Sequence, residues 1–297
     1  MIRILLSTRL GERRWTQADL ARMTNIRPST INDLYHEIAE RVNLEHLDLI
    51  CEALGCELSD LIERVPNTNI RINTRMELLQ ELIRRLRKAG AKSDASRGCG
   101  VHIHIGAKGH TPQTLRNLAN IMASHEELLI NALAIDRSRT ARYCRTVDPK
   151  FLELLNKKKP KTMSALADIW YTSHGANYGR SQHYNDSRYH QLNLHATFTK
   201  GTVEFRLFQF DEPSDGKQNG LHAGQLKSYI QLCLALSQMA KTVKTASPKP
   251  QQNENPKYAM RTWLLRLGFI GEEFKTAREL LTKRLSGDTA FRNGRAA

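Results

Sequence analysis

Two short alternating segments carry the residues best suited to chemistry: Val101-His102-Ile103-His104-Ile105 and Thr202-Val203-Glu204-Phe205-Arg206. In a β-strand, side chains at i and i+2 point to the same face. His102 and His104 therefore share one face of their strand, and Glu204 and Arg206 share one face of theirs. The opposite faces, Val101/Ile103/Ile105 and Val203/Phe205/Leu207, are apolar enough to hold both strands in a core. Two imidazoles, a carboxylate and a guanidinium presented from rigid strands suit a metal, a phosphate and a carboxylate substrate.

The elements that must position these strands are mostly helices. Glu77 to Lys88 reads as a helix with Leu78, Leu79, Leu82, Ile83 and Leu86 apolar, ended at Gly90. A loop over 91–98 leads through Gly98-Cys99-Gly100 into the His-x-His strand. Thr111-Pro112 opens a long helix bearing Leu115, Leu118, Ile121, Met122, Leu128, Leu129 and Leu133. Arg137, Arg139, Arg142 and Arg145 form a basic stretch, of which Arg137 and Arg139 read as a solvated face. Leu192 to Phe198 and Thr202 to Phe208 read as hairpin strands joined through Lys200-Gly201, with His195 a surface or structural histidine of that hairpin. Gly220 to Lys241 reads as an amphipathic helix, 245–256 as a loop, and the tail as two helical stretches with a frayed end from Gly287. Trp170, Trp263 and the Leu/Met stripes are read as core.

Size and charge narrow the class. A chain of 297 residues is longer than the usual single domain, so a large domain plus a small one is expected. The net charge is +15, unevenly divided. Residues 1–66 hold 8 Lys/Arg against 11 Asp/Glu, net −3, and residues 67–297 hold 37 against 19, net +18. The larger segment therefore favours anionic ligands. Five scattered cysteines without CxxC spacing argue against a disulfide scaffold or zinc ribbon and for reduced thiols in the cytosol. With no signal-peptide pattern and no run of 18 apolar residues, a cytoplasmic location without membrane contact is expected.

Residues 1–66 read as short amphipathic helices. The first carries Ile2, Leu5, Leu6 and Leu10 on one face. Thr16 caps the second, with Asp19 at its third position and Leu20 and Met23 inward. Thr24 to Arg27 turns into a third helix from Pro28 to His36, with Ile31 and Leu34 inward. Leu44 to Leu54, closed by Gly55, and a short helix around Leu58–Val65 complete the bundle. The run from Thr16 to Tyr35, with the trailing Leu-x-x-Ile-Cys-x-Ala-Leu-Gly, resembles the Cro/C1 (XRE-like) helix-turn-helix family. The resemblance implies DNA as a partner through residues 1–66, with Gln17 on a phosphate and Arg27, Ser29, Thr30, Asn32 and Tyr35 facing the major groove or its rim. It also implies a dimer, because one such module buries little surface on DNA. The segment's net acidity gives weight to the alternative, a helical bundle that keeps the shape without binding, but DNA binding is the preferred reading.

Helix, loop, Gly-Cys-Gly-Val-His-Ile-His-Ile-Gly, helix, Arg188-Tyr-x-x-Leu-Asn-Leu, Gly201-Thr-Val-Glu-Phe-Arg206, helix: this order, over about residues 74–240, resembles the amidoligase family, a carboxylate–amine ligase group related to glutamine synthetase. The implied protein is multi-domain: a helix-turn-helix bundle (1–66), a linker (67–73), an amidoligase-like α+β domain with a curved antiparallel, glutamine-synthetase-like sheet (74–240), and a loop with a C-terminal helical extension (241–297). The implied chemistry is ATP-dependent amide-bond formation with Mg²⁺ or Mn²⁺ from a carboxylate and an amine. By that resemblance His102 and Glu204 are metal ligands, His104 and Arg206 lie against the nucleotide, and Arg206, Arg188 and Arg142 steady the phosphoryl group or acidic substrate. One departure stands out: family members begin with an acidic Gly-x-Glu-x-Glu strand, and this chain has none. Asp211, Glu212 and Asp215 follow the Glu-Phe-Arg strand, but their sequence position does not direct them inward. The missing strands leave a sheet edge that a second copy or a completing partner chain would cover. The alternative is a transcriptional regulator whose ligase-like domain is inactive or senses a nucleotide or acidic metabolite.

Overall fold

The computed structural model describes residues 2–39, 41–64, 73–211, 220–250 and 254–289. The chain divides into two compact units, residues 1–73 with 262–271 and residues 74–261 with 272–297. Of the linker expected over 67–73, residues 67–72 lie outside the described ones and Asn73 already belongs to a helix, while Glu212, Asp215 and most of the terminal segment expected to fray also lie outside them.

The amino-terminal unit begins with β1 (Ile2–Ile4), not with a helix, and the β-branched Ile2 and Ile4 explain the difference. This strand pairs antiparallel with β2 (Ile62–Arg64). Between them lie α1 (Leu6–Arg13), α2 (Gln17–Thr24), α3 (Pro28–Tyr35), α4 (Leu44–Leu54) and α5 (Leu58–Leu61). A full capping box starts α2: Thr16 Oγ1 accepts from the Asp19 amide, and Asp19 accepts from the Thr16 amide. Gly55, at φ +54°, closes α4 in the left-handed conformation expected of it. Leu6, Leu10, Leu20, Ile31, Leu34, Ile50, Leu54 and Leu61 form the core. Met23, expected inward, is 58% exposed. Leu20 and Thr24, one turn apart, take the inward stripe instead, and the Thr24 hydroxyl donates back to the Leu20 carbonyl.

In the larger unit α6 (Asn73–Lys88) starts earlier than the apolar run suggests. Met76 and Ile83 are buried, whereas Leu78, Leu82 and Leu86, spaced one turn apart, are exposed. That stripe, expected as core, therefore faces outward. Then come β3 (Val101–Gly106), α7 (Pro112–Leu133), α8 (Arg137–Arg142), α9 (Pro149–Lys158), α10 (Met163–Ser173), β4 (Leu192–Asn193), α11 (His195–Lys200), β5 (Thr202–Phe208), α12 (Ala223–Thr242), α13 (Pro256–Arg266), whose residues from 262 on are counted with the amino-terminal unit, and α14 (Lys275–Thr282).

The sheet is antiparallel and three-stranded, in the order β3-β5-β4, so β5 is its centre. His104 pairs with Glu204, Ile103 with Phe205 and Asn193 with Glu204. The register shifts between Val101 and Ile103, where β5 carries an extra residue. The strand expected over 192–198 stops after Asn193. Asn193 Oδ1 accepts from the His195 amide, which turns the chain into α11, and Gly201 at φ +67° closes that helix before β5. Beneath the sheet α12 packs on α7, α14 and β3. Tyr229 of α12 stacks on Phe208 with centroids 4.5 Å apart, and Asn117 of α7 donates to the carbonyls of Ala240 and Val243. The two units together make a multi-domain α+β protein.

Candidate functional site

One face of the sheet gathers the charged residues of β3 and β5. Glu204 sits at the centre, with Oε1 2.7 Å from Arg206 Nη1, 3.4 Å from His102 Nδ1 and 3.6 Å from His104 Nε2. Its other oxygen accepts from Asn193 Nδ2 at 2.6 Å. Alternation along each strand sets this face, and the register places His104 and Asn193 on either side of Glu204. The face is graded in exposure: the side chains of Glu204 and Arg206 are each 4% exposed, those of His102 and His104 are 36% and 35%. The imidazoles form the open rim and the ion pair the floor.

Arg206 is fixed from several directions. Besides Glu204 it lies 3.3 Å from His102 Nδ1, donates to the Tyr143 carbonyl, and stacks 5.5 Å from the Tyr189 ring centroid. Arg188 lies over the same ring at 5.7 Å and donates to the His183 carbonyl. Arg139, expected on a solvated face, is buried and donates to Gln209 Oε1 and to the Arg206 carbonyl. Gly100 allows this approach, because a Cβ there would lie 2.6 Å from Arg139 Nη2. Arg142 is exposed and packs over Tyr143. His195 is buried between the Tyr171 hydroxyl and the Gln182 carbonyl, a structural histidine.

The electrostatics follow from this geometry. Burial, then the positive charge of Arg206, holds His102 down to about 4 against the opposing pull of Glu204, so the imidazole is neutral at pH 7. Burial pushes Glu204 upward, but the charge and hydrogen bond of Arg206 and the bond from Asn193 win, and the carboxyl lies below its usual range. The guanidiniums of Arg139, Arg188 and Arg206 all act on His102 against the carboxylate of Glu204. The result is a positively biased face suited to a phosphate or a carboxylate.

The same geometry tests the divalent ion. Both oxygens of Glu204 already have partners within the protein, and the cationic Arg206 Nη1 contacts both that carboxylate and His102 Nδ1. Asp211 is engaged by Lys283 and Arg284, each at 2.7 Å. The residues of this face therefore do not fit Mg²⁺ as they stand, since Mg²⁺ needs several oxygen ligands in octahedral array. Among the described residues one compact group of three ligating side chains forms, and it lies elsewhere: Asp148, His174 and His190.

Residues 67–237, more than half the chain, match the family model described as "Putative amidoligase enzyme". The chain belongs to the amidoligase family. Residues 6–67 match the Cro/C1-type helix-turn-helix DNA-binding domain, so an amidoligase domain is joined to a DNA-binding module. No curated protein and no solved structure matches the chain. Within the amidoligase domain, Asn193, Tyr189 and Arg139 are site residues that sequence reasoning missed. Asn193 had no clear signal, since it meets Glu204 only because α11 stands between the strands, a register that a tight turn at Lys200-Gly201 does not give. Arg139 had none, because a basic run reads as surface.

In the DNA-binding module Arg27 and Ser29 are exposed, and Gln17, Thr30 and Asn32 are half-buried. None of these five side chains makes a hydrogen bond or ion pair among the described residues. Gln17 opens α2 and the others line the start of α3, where a recognition helix presents its contacts. Tyr35 differs: it packs against the module's core and meets the His36 ring edge-on. Among the described residues no helix is long and apolar enough to cross a membrane.

Proposed function

We propose that the amidoligase domain is an ATP-dependent carboxylate–amine ligase on a glutamine-synthetase-like scaffold, and that the helix-turn-helix module ties it to DNA as a cytoplasmic regulator. The observation that carries this reading is the convergence of His102, His104, Glu204 and Arg206 on one sheet face at 2.7–3.6 Å. A substrate carboxylate attacks the γ-phosphorus of ATP and releases ADP. The amine nitrogen then attacks the acyl carbon, phosphate leaves, and the nitrogen gives up a proton. Developing charge on the phosphoryl oxygens is met by Arg206, with Arg188 and Arg142 at the edge. His104, with Nδ1 held 2.8 Å from the Thr202 hydroxyl, offers Nε2 to the nucleotide. Neutral His102 can accept a hydrogen bond or bind a cation. At Glu204 and His102 the family's divalent ion, Mg²⁺ or Mn²⁺, would compete with the Arg206 guanidinium that contacts both, so no step is assigned to it.

On the DNA side, Gln17, Arg27, Ser29, Thr30, Asn32 and Tyr35 are the proposed contacts, in a homodimer. A second reading has its own support. The saturation of Glu204 by Arg206 and Asn193 favours a domain that senses a nucleotide or acidic metabolite without turnover. One assay separates the two. The full chain is incubated with ATP, Mg²⁺ and panels of carboxylates and amines, and ADP is followed. Release that requires both co-substrates and is lost in His104→Ala supports the ligase. ATP-dependent release of DNA without ADP formation supports the sensor.

A further inference from the structure

Away from the sheet face, three lone pairs converge without a proton between them. Asp148 caps α9 through Oδ1, which accepts from the Phe151 amide at 3.0 Å. His174 follows the end of α10, and its Nδ1 donates to the Trp170 carbonyl at 2.6 Å. His190 lies just before β4, and its Nδ1 donates to the Ser187 carbonyl at 3.0 Å. A carbonyl can only accept, so each Nδ1 carries a proton, and in the neutral ring each Nε2 keeps its lone pair. His174 Nε2 is buried and has no hydrogen-bond partner among the described residues. One donor atom from each residue lies within 4.8 Å of the donors of the other two. The two rings stand 4.4 Å apart, walled by Trp170 and Phe151.

A packed pair of aromatic-core histidines would explain the ring contacts but not a buried lone pair facing a second imidazole and a carboxylate. Unsatisfied buried acceptors cost free energy, and acceptors facing one another need a cation. We propose that Asp148, His174 and His190 bind a zinc-type divalent transition metal. Two imidazoles and one carboxylate are a nitrogen-rich set, which selects Zn²⁺ or Co²⁺ over Mg²⁺. The backbone carbonyls behind each Nδ1 supply the outer-shell partners that orient such ligands. Water completes the coordination. Arg145 is the adverse charge nearby, and its guanidinium is drawn off to the Tyr189 and Asp186 carbonyls. The metal ties α9 and α10 to the segment that carries Arg188, Tyr189 and Asn193, so it holds one wall of the sheet-face site in place.

The test is Co²⁺ titration of the metal-free full chain, read by visible d–d absorption. The expected result is one tetrahedral Co²⁺ per chain, displaced by Zn²⁺. His174→Gln and His190→Gln should lose more than the roughly 10–100-fold in affinity that outer-shell changes cost. Asp148→Asn keeps the helix cap, because Asn caps as well as Asp, so its loss of affinity reports the ligand and not the fold. Zn²⁺ should raise the Tm of the wild type and leave that of Asp148→Asn unchanged. His102→Ala should bind Co²⁺ like the wild type, which separates this site from the nucleotide face whether or not that face binds ATP. Absence of binding to the intact chain overturns the proposal. So does full binding in folded Asp148→Asn and His174→Gln, a thiolate charge-transfer spectrum, or loss in His102→Ala alone.

Discussion

At the scale of single residues, Arg206 and Glu204 form a buried ion pair in which each member needs the other. Removing one partner of such a pair leaves an uncompensated buried charge and costs about 3–5 kcal/mol. Arg206→Met should therefore lower unfolding stability by that order in urea titration, and Glu204→Gln on the same background should recover part of it. The substitution has a second readout. Burial and then Arg206 hold His102 at about 4, so without the guanidinium its value should climb toward the ordinary 6.5 in an NMR titration. A His102 value unmoved by Arg206→Met would mean that burial alone sets it.

Elements bring these residues together through close backbone approach. Gly100 sits where a Cβ would meet Arg139 Nη2 at 2.6 Å and His102 Nε2 at 3.4 Å. Gly100→Ala should push Arg139 from Gln209 and the Arg206 carbonyl and destabilise the domain by about 1–3 kcal/mol, the usual cost of overpacking. Differential scanning calorimetry checks this. The strands themselves were legible in the sequence, because β3 and β5 alternate cleanly and apolar neighbours anchor their inner faces. The helix-turn-helix was legible for a similar reason, since Thr16, Pro28 and Gly55 punctuate its helices. Illegible features depended on long-range packing. Nothing local marks Arg139 as buried, the outward turn of Leu78, Leu82 and Leu86 on α6, or the meeting of Asp148, His174 and His190 from three elements. The strand expected over 192–198 failed because Asn193 diverts its own backbone into a helical turn.

For the whole molecule, buried titrating groups set the response to pH. His102 and His110 are held at about 4, chiefly by burial. Between the ordinary 6.5 and that value the unfolded chain binds the extra protons, so their contribution to stability is lost on acidification. Glu126 runs the other way: burial raises it to about 7, so across pH 4.5 to 7 the folded chain holds the extra proton and stability falls as pH rises. The two histidines should outweigh it, giving a Tm that drops from pH 6.5 toward 4, and Glu126→Gln should steepen that drop. The charge division, net −3 over residues 1–66 and +18 over the remainder, puts the anion-attracting surplus with the amidoligase domain. Whether that domain takes a nucleotide on its sheet face is the central claim. Calorimetric titration of ATP, with and without Mg²⁺, into the full chain and into His102→Ala and His104→Ala tests it most directly. Both substitutions lie on the open rim and spare the buried ion pair. Binding to the intact chain, lost in both variants, is the expected result. ATP binding that survives both substitutions, or none to the folded wild type, would contradict it.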